Sequence, residues 1–139
     1  DPAPCRRLSK SLLQLVDIIT PNEFELAELT GMPVKTKRNI ECAGEKLFQT
    51  GVGEVIVTCG ERGVCHLSGD GANWFSAPKV NAIDTVGAGD CFNGSLASAL
   101  SSDLGMAEAI RFAVSTSAHA VTIRGVQSSF PELKPSNCY

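Results

Sequence analysis

The chain has 139 residues, enough for one domain with a hydrophobic core. Hydrophobic residues make up 43%, charged residues 19%, and the formal net charge is −3, an ordinary globular composition that points to a soluble cytoplasmic protein. No lysine or arginine run, transmembrane-length apolar stretch or signal peptide is visible, which argues against nucleic-acid and membrane partners.

The chain opens Asp1-Pro2-Ala3-Pro4 without an initiator methionine and reads as part of something longer. Leu8, Leu12, Leu15 and Val16 recur at helical spacing and predict a helix over about residues 8–16. Asp17-Ile18-Ile19 reads as a short buried strand. Thr20-Pro21-Asn22-Glu23 then signals a helix start, with proline at the first helical position, and that helix ends near Gly31. Asn22-x-x-Glu25 is a second possible cap, a capping box. Ile40, Ala43 and Leu47 mark another helix, closed around Gly51.

The β-branched run Glu54 to Thr58 predicts a strand, and Gly60 and Gly63 punctuate a turn into a second strand, Val64 to Leu67. Trp74-Phe75 and Lys79-Val80 are candidates for further short strands. From Ala88 onward Phe92, Leu96, Ala99 and Leu100 share a helical face, as do Ile110, Ala113, Val114 and Ser117. Helices alternating with short apolar strands predict a layered α/β fold with a largely parallel sheet.

Six cysteines, at 5, 42, 59, 65, 91 and 138, form no C-x-x-C pair, and with only His66 and His119 they lack zinc-ligand spacing. Their apolar contexts predict buried free thiols of a reducing compartment.

Three stretches could carry chemistry. In Asn81 to Gly94, Gly87-Ala88-Gly89 lets the backbone approach a ligand, and its N–H groups at a helix start suit a phosphoryl group. Asp90 is then placed either to take a proton from a neutral hydroxyl or merely to complement the helix dipole. Glu25 and Asn22 could serve a Mg²⁺–water shell and phosphate oxygens, or only cap a helix. Thr58-Cys59-Gly60-Glu61-Arg62-Gly63 could wrap phosphates or be a hairpin turn.

The order and wording of "DPAP", "LVDIITPNEFELAELTG", "VIVTCGERGV", "IDTVGAGDCFNGSLASAL" and "AIRFAVSTSAHAVTIRGVQSS" resemble the ribokinase group of the PfkB family of carbohydrate kinases, from Asp1 to about Pro131. The resemblance implies a three-layer α/β/α ribokinase-like, Rossmann-like fold, seen in part. It implies that residues 1–139 are the C-terminal, ATP-binding and catalytic portion, without the half that supplies the sugar site and lid. Asp90 would be the base that deprotonates the sugar's primary hydroxyl, and Gly87, Ala88 and Gly89 the anion hole for the γ-phosphate. Asn22 and Glu25 would serve phosphate and Mg²⁺; Thr58, Gly60, Glu61 and Gly63 would form an ATP loop.

A K⁺ site would use Asp84, Val86, Ala120, Ile123, Gly125 and Ser129, mostly through carbonyls; the bland reading of 120–129 is a helix exit stopped at Gly125. Val114 stands where ribokinases often carry a polar residue near adenine, and Lys134 to Tyr139 do not read as the family's closing helix. The implied reaction converts D-ribose and ATP to ribose 5-phosphate and ADP, by a protein that dimerises through its lid. The rivals are a sister kinase for another sugar or nucleoside and a nucleotide-binding module without turnover.

Overall fold

Glu54–Thr58 forms strand β2 in the computed structural model, which describes residues 1–130. Cys138 and the segment Lys134 to Tyr139 lie outside the described residues. The elements in order are α1 (Lys10–Leu13), β1 (Ile18–Ile19), α2 (Glu23–Thr30), α3 (Lys37–Phe48), β2, a 3₁₀ turn (Gly60–Arg62), β3 (Val64–Ser68), β4 (Gly71–Phe75), α4 (Ala88–Ser101), α5 (Met106–Ala120) and α6 (Val126–Ser129). Helices and a sheet of hydrogen-bonded strands in the order β1-β2-β3-β4 make a mixed α/β fold.

Two compact units divide these elements: Asp1–Gly60 with Val64–Trp74, and Glu61–Gly63 with Phe75–Tyr139. In the first, α2 and α3 pack on the sheet. Alternation along β2 and β3 places Val55, Val57, Cys65 and Leu67 on the face that meets Leu26, Ile40, Ala43 and Leu47. Gly44 lets α3 close on the sheet, because a β-carbon there would stand 2.5 Å from Leu67 Cδ1. Ile56, Val64 and His66, on the opposite face, are buried too, and His66 Nε2 meets Glu54 Oε2 at 2.5 Å. That second face is mixed: Ile56 and Val64 share it with Glu54, Thr58, His66 and Ser68. Trp74 Nε1 donates to Glu41 Oε1 and Lys37 Nζ lies 4.5 Å from the Trp74 ring centroid, fastening β4 to α3.

The sheet is not largely parallel. β1 and β2 are parallel, joined through α2 and α3, whereas β2 and β3 are antiparallel, with Thr58 opposite Val64. The five residues between them allow only a reversal; a parallel return needs a crossover of a dozen residues or more. Lys79-Val80 forms no strand: both residues are exposed and lie in irregular chain.

The expected helix over 8–16 is a single turn. Ser9 caps it, and Leu15 and Val16 donate to Leu12 and Leu13 three residues back, a tightened exit that ends the α-helix. Leu13 is its buried residue, while Leu15 is 81% exposed.

In the second unit α4 and α5 pack together, burying Phe92, Leu96 and Ala99 on one and Ile110, Ala113 and Val114 on the other. Cys59, Cys65 and Cys91 are buried free thiols, and Cys5 and Cys42 are half-buried ones. Burial pushes Cys59 and Cys65 up to about 12, so both stay protonated and pack as small hydrophobes at neutral pH. Among the described residues no helix is long and apolar enough to cross a membrane.

Candidate functional site

In the first unit, the C-terminal ends of the parallel pair bring Asn22, Glu25 and Thr58 together. Thr58 N–H donates to Pro21 O at 3.0 Å, and Asn22 and Thr58 continue the pairing as a parallel bridge. Of the two caps in the sequence, the structure takes the later one. Asn22 Oδ1 accepts from Glu25 N–H at 2.9 Å, and Glu25 Oε2 accepts from Asn22 N–H at 2.8 Å. Pro21 therefore precedes the cap and is not the first helical residue. A reciprocal box satisfies two backbone donors, which a Thr20 cap would leave open. Glu25 is only 7% exposed, so its carboxylate is held rigidly at this strand end. Strand ends of this kind, followed by a helix start, are where open α/β sheets take ligands.

The loop after β2 is a tight reversal through the 3₁₀ turn, with Gly60 at φ +53° and Gly63 at φ +89°. The two glycines differ in kind. Gly60 and Glu61 are exposed, and a β-carbon at Gly60 would meet nothing within 4 Å. Gly63 is buried, and a β-carbon there would collide with the Phe75 carbonyl.

The second unit, to which Glu61 and Gly63 belong, also holds the remaining candidates. Gly87 caps α4 at φ +80° with no side-chain hydrogen bond, so Ala88, Gly89 and Asp90 are its first three residues. Ala88 N–H donates to Thr85 O at 3.2 Å, and Cys91 N–H donates to Gly87 O at 2.9 Å. Gly89 and Asp90 between them are exposed, with no capping group over their N–H groups. The helix start thus presents backbone donors that suit an anion beside a carboxylate that can accept a proton. Gly87 is fixed by its neighbour as well as by φ, since a β-carbon there would lie 2.5 Å from Val126 Cγ1.

Asp84, Val86, Ala120, Ile123, Gly125 and Ser129 all belong to this unit. Asp84 Oδ1 accepts from Val86 N–H and Oδ2 from Gly125 N–H, each at 3.1 Å. These bonds hold the Asp84 carboxyl below its ordinary value. Ile83 and Asp84 N–H both donate to Val121 O, at 2.7 and 3.1 Å. Ala120 O accepts from Ile123 N–H, and the buried Ser129 donates its hydroxyl to Val126 O at 2.8 Å.

Gly125 is not a helix stop: α5 ends at Ala120, and Gly125 at φ +90° begins α6. One carboxylate among carbonyl and hydroxyl oxygens is a donor set that suits a hard monovalent cation. Among the described residues no group of three His, Cys, Asp or Glu side chains is placed to hold a metal ion. Sequence reasoning did not see Val121, Val126 or Thr85, because their roles run through a backbone carbonyl or through packing.

Residues 1–133 match the family model described as pfkB family carbohydrate kinase. The chain is 40% identical over 140 residues to a deoxyribokinase of Salmonella typhi, covering 100% of the chain and 46% of that protein. It is 40% identical over 131 residues to a ribokinase of Haemophilus influenzae, covering 94% of the chain and 43% of that protein. The solved structure of Arabidopsis thaliana ribokinase complexed with ribose and ATP superposes with a TM-score of 0.86 at 32% identity, over 94% of the chain and 42% of that structure. The chain thus spans less than half the length of the curated relatives it matches. A signature held on a glycine-started helix, a ribokinase-like mixed α/β fold and a family match across nearly every residue agree: the chain belongs to the pfkB family of carbohydrate kinases.

Proposed function

We propose that the chain supplies the ATP-binding and catalytic portion of an ATP-dependent sugar kinase whose acceptor is a pentose, D-ribose first. The observation that carries this reading is Asp90, an exposed carboxylate in the first turn of α4 beside backbone donors that no side chain caps.

In the proposed reaction Asp90 accepts the proton of the sugar's primary hydroxyl as its oxygen attacks the γ-phosphorus. The P–O bond to ADP breaks, and the N–H groups around Gly87, Ala88 and Gly89 stabilise charge on the transferring phosphoryl group. Asn22 and Thr58 would contact phosphate oxygens, and the 60–63 turn would pass its backbone along the nucleotide. Glu25 would hold a water of a bound Mg²⁺, which supplies charge neutralisation on the phosphates. A bound K⁺ would take the carbonyls of Val86, Ala120, Ile123 and Gly125 with Asp84 and Ser129. The buried Val114 would offer adenine an apolar contact in place of a polar one.

The deoxyribokinase relative favours a second acceptor, 2-deoxyribose, as strongly as the ribokinases favour ribose. Kinetics of the complete protein on ribose, 2-deoxyribose and other sugars would separate them. In the same protein Asp90→Asn should lower kcat about 10²-fold or more while nucleotide affinity holds. Near-normal turnover by that variant would remove Asp90 as the base.

A further inference from the structure

The turn after β2 is held by chain outside its own hairpin. Strands β2 and β3 flank it in the first unit, yet Glu61–Gly63 belong to the second, together with Phe75 and α5. Gly63 shows the contact. A β-carbon there would collide with the Phe75 carbonyl oxygen and stand 2.8 Å from Ala77 N. The Gly63 backbone therefore lies directly on the 75–77 backbone, an approach that only glycine allows.

Beyond Phe75 the chain is irregular until Ala88, so the Phe75 side chain is the last one that a strand directs. Its half-buried ring meets Arg111, whose guanidinium carbon lies 5.5 Å from the ring centroid, within reach of a cation–π contact. Arg111 is exposed on α5, and its helix neighbours Ile110, Phe112, Ala113 and Val114 are all buried. The guanidinium thus projects from a helix anchored along its other face.

From this geometry we infer that Arg111 is a positioning residue for the 61–63 turn: it grips the Phe75 ring, and the Phe75 backbone in turn fixes Gly63. Nucleotide affinity then depends on a helix residue that acts through two neighbours. The inference rests on the proposed reading of the 60–63 turn as a nucleotide loop, and deepens it.

Two measurements on the complete protein test it: amide shifts of Glu61, Arg62 and Gly63 without nucleotide, and steady-state kinetics with varied ATP. Arg111→Ala should move those amides and raise the KM for ATP about two- to fivefold, with kcat held within about twofold. Arg111→Lys keeps a cation over the ring and should restore most of both. Phe75→Leu should reproduce the alanine effect, and adding Arg111→Ala to it should change little more, because the contact is already gone. A KM effect of Arg111→Ala that persists in full beside Phe75→Leu would overturn the inference, since Arg111 would then act on the nucleotide directly. Unmoved 61–63 amides in Arg111→Ala would overturn it too. That readout stands on an exposed residue, whatever Phe75→Leu does to folding. Moved amides with an unchanged KM would instead remove the turn from the nucleotide site, so the two failures read differently.

Discussion

Gly60 and Gly63 look alike in Cys-Gly-Glu-Arg-Gly, yet the structure gives them different work. Each adopts a positive φ, but only Gly63 has a backbone carbonyl, that of Phe75, where a side chain would begin. Gly60→Ala should therefore cost only about 1 kcal/mol, the ordinary left-handed penalty of a non-glycine residue. Gly63→Ala should cost clearly more, because strain and collision add. Urea midpoints of the two variants check the order, and equal losses would mean that Phe75 does not constrain the turn. A nucleotide-loop role for Gly60 would show separately, as weaker ATP binding without a stability loss to match. The sequence displayed both glycines but not their difference, which lies in a neighbour twelve positions away. Asp84 shows the same limit on a larger scale, since its acceptor role toward Gly125 spans forty-one positions. Spacing rules read neighbours along one element and do not reach that far.

At the scale of elements, the parts governed by local rules were legible and those governed by partners were not. The β-branched run at 54–58 became β2 with those bounds, and the apolar faces of α4 and α5 are buried at Phe92, Leu96, Ile110 and Ala113. Sheet direction was misread even though the short glycine-flanked connection that decides it was visible. The α1 pattern failed because one turn buries only Leu13, and a run of leucines carries no record of where its helix stops. For α2, sequence offered two caps and the structure chose the reciprocal box of Asn22 and Glu25. That choice separates cap from ligand. Asn22→Ala should lower stability by about 0.5–2 kcal/mol, whereas Asn22→Asp keeps a good cap and should change stability little. If Asn22 also contacts phosphate, the added carboxylate should weaken nucleotide binding in the Asp variant all the same. Urea unfolding with an ATP titration reads both; normal binding by Asn22→Asp would confine Asn22 to capping.

Composition allowed one core, whereas the folded molecule holds two compact units, one around Leu26, Ile40, Val55 and Leu67 and one around the α4–α5 pair. The first carries the strand-end residues Asn22, Glu25 and Thr58; the second carries Asp84 and Asp90. The chain spans less than half the length of the curated relatives it matches, and the proposed reading assigns the sugar contacts to another part of the complete protein. On that assignment the chain by itself should bind nucleotide weakly and fail to phosphorylate ribose. An unheld hydroxyl meets the γ-phosphate only by collision, and in-line positioning can be worth about 7–11 kcal/mol of the barrier. Exposed apolar side chains work in the same direction on solubility. Phe24 is 70% exposed, Val86 68% and Ile83 63%, so the purified chain should associate as its concentration rises, with modest protection by Mg·ATP. The measurement is ADP release with and without ribose, after circular dichroism has established folding and light scattering the associated fraction. No ribose-dependent release is expected from the chain, and normal release from the complete protein. Ribose-dependent turnover by the chain at the rate of an ordinary kinase would place the sugar site within these residues. The search for it would then begin at the exposed Asp90 and the residues that flank it.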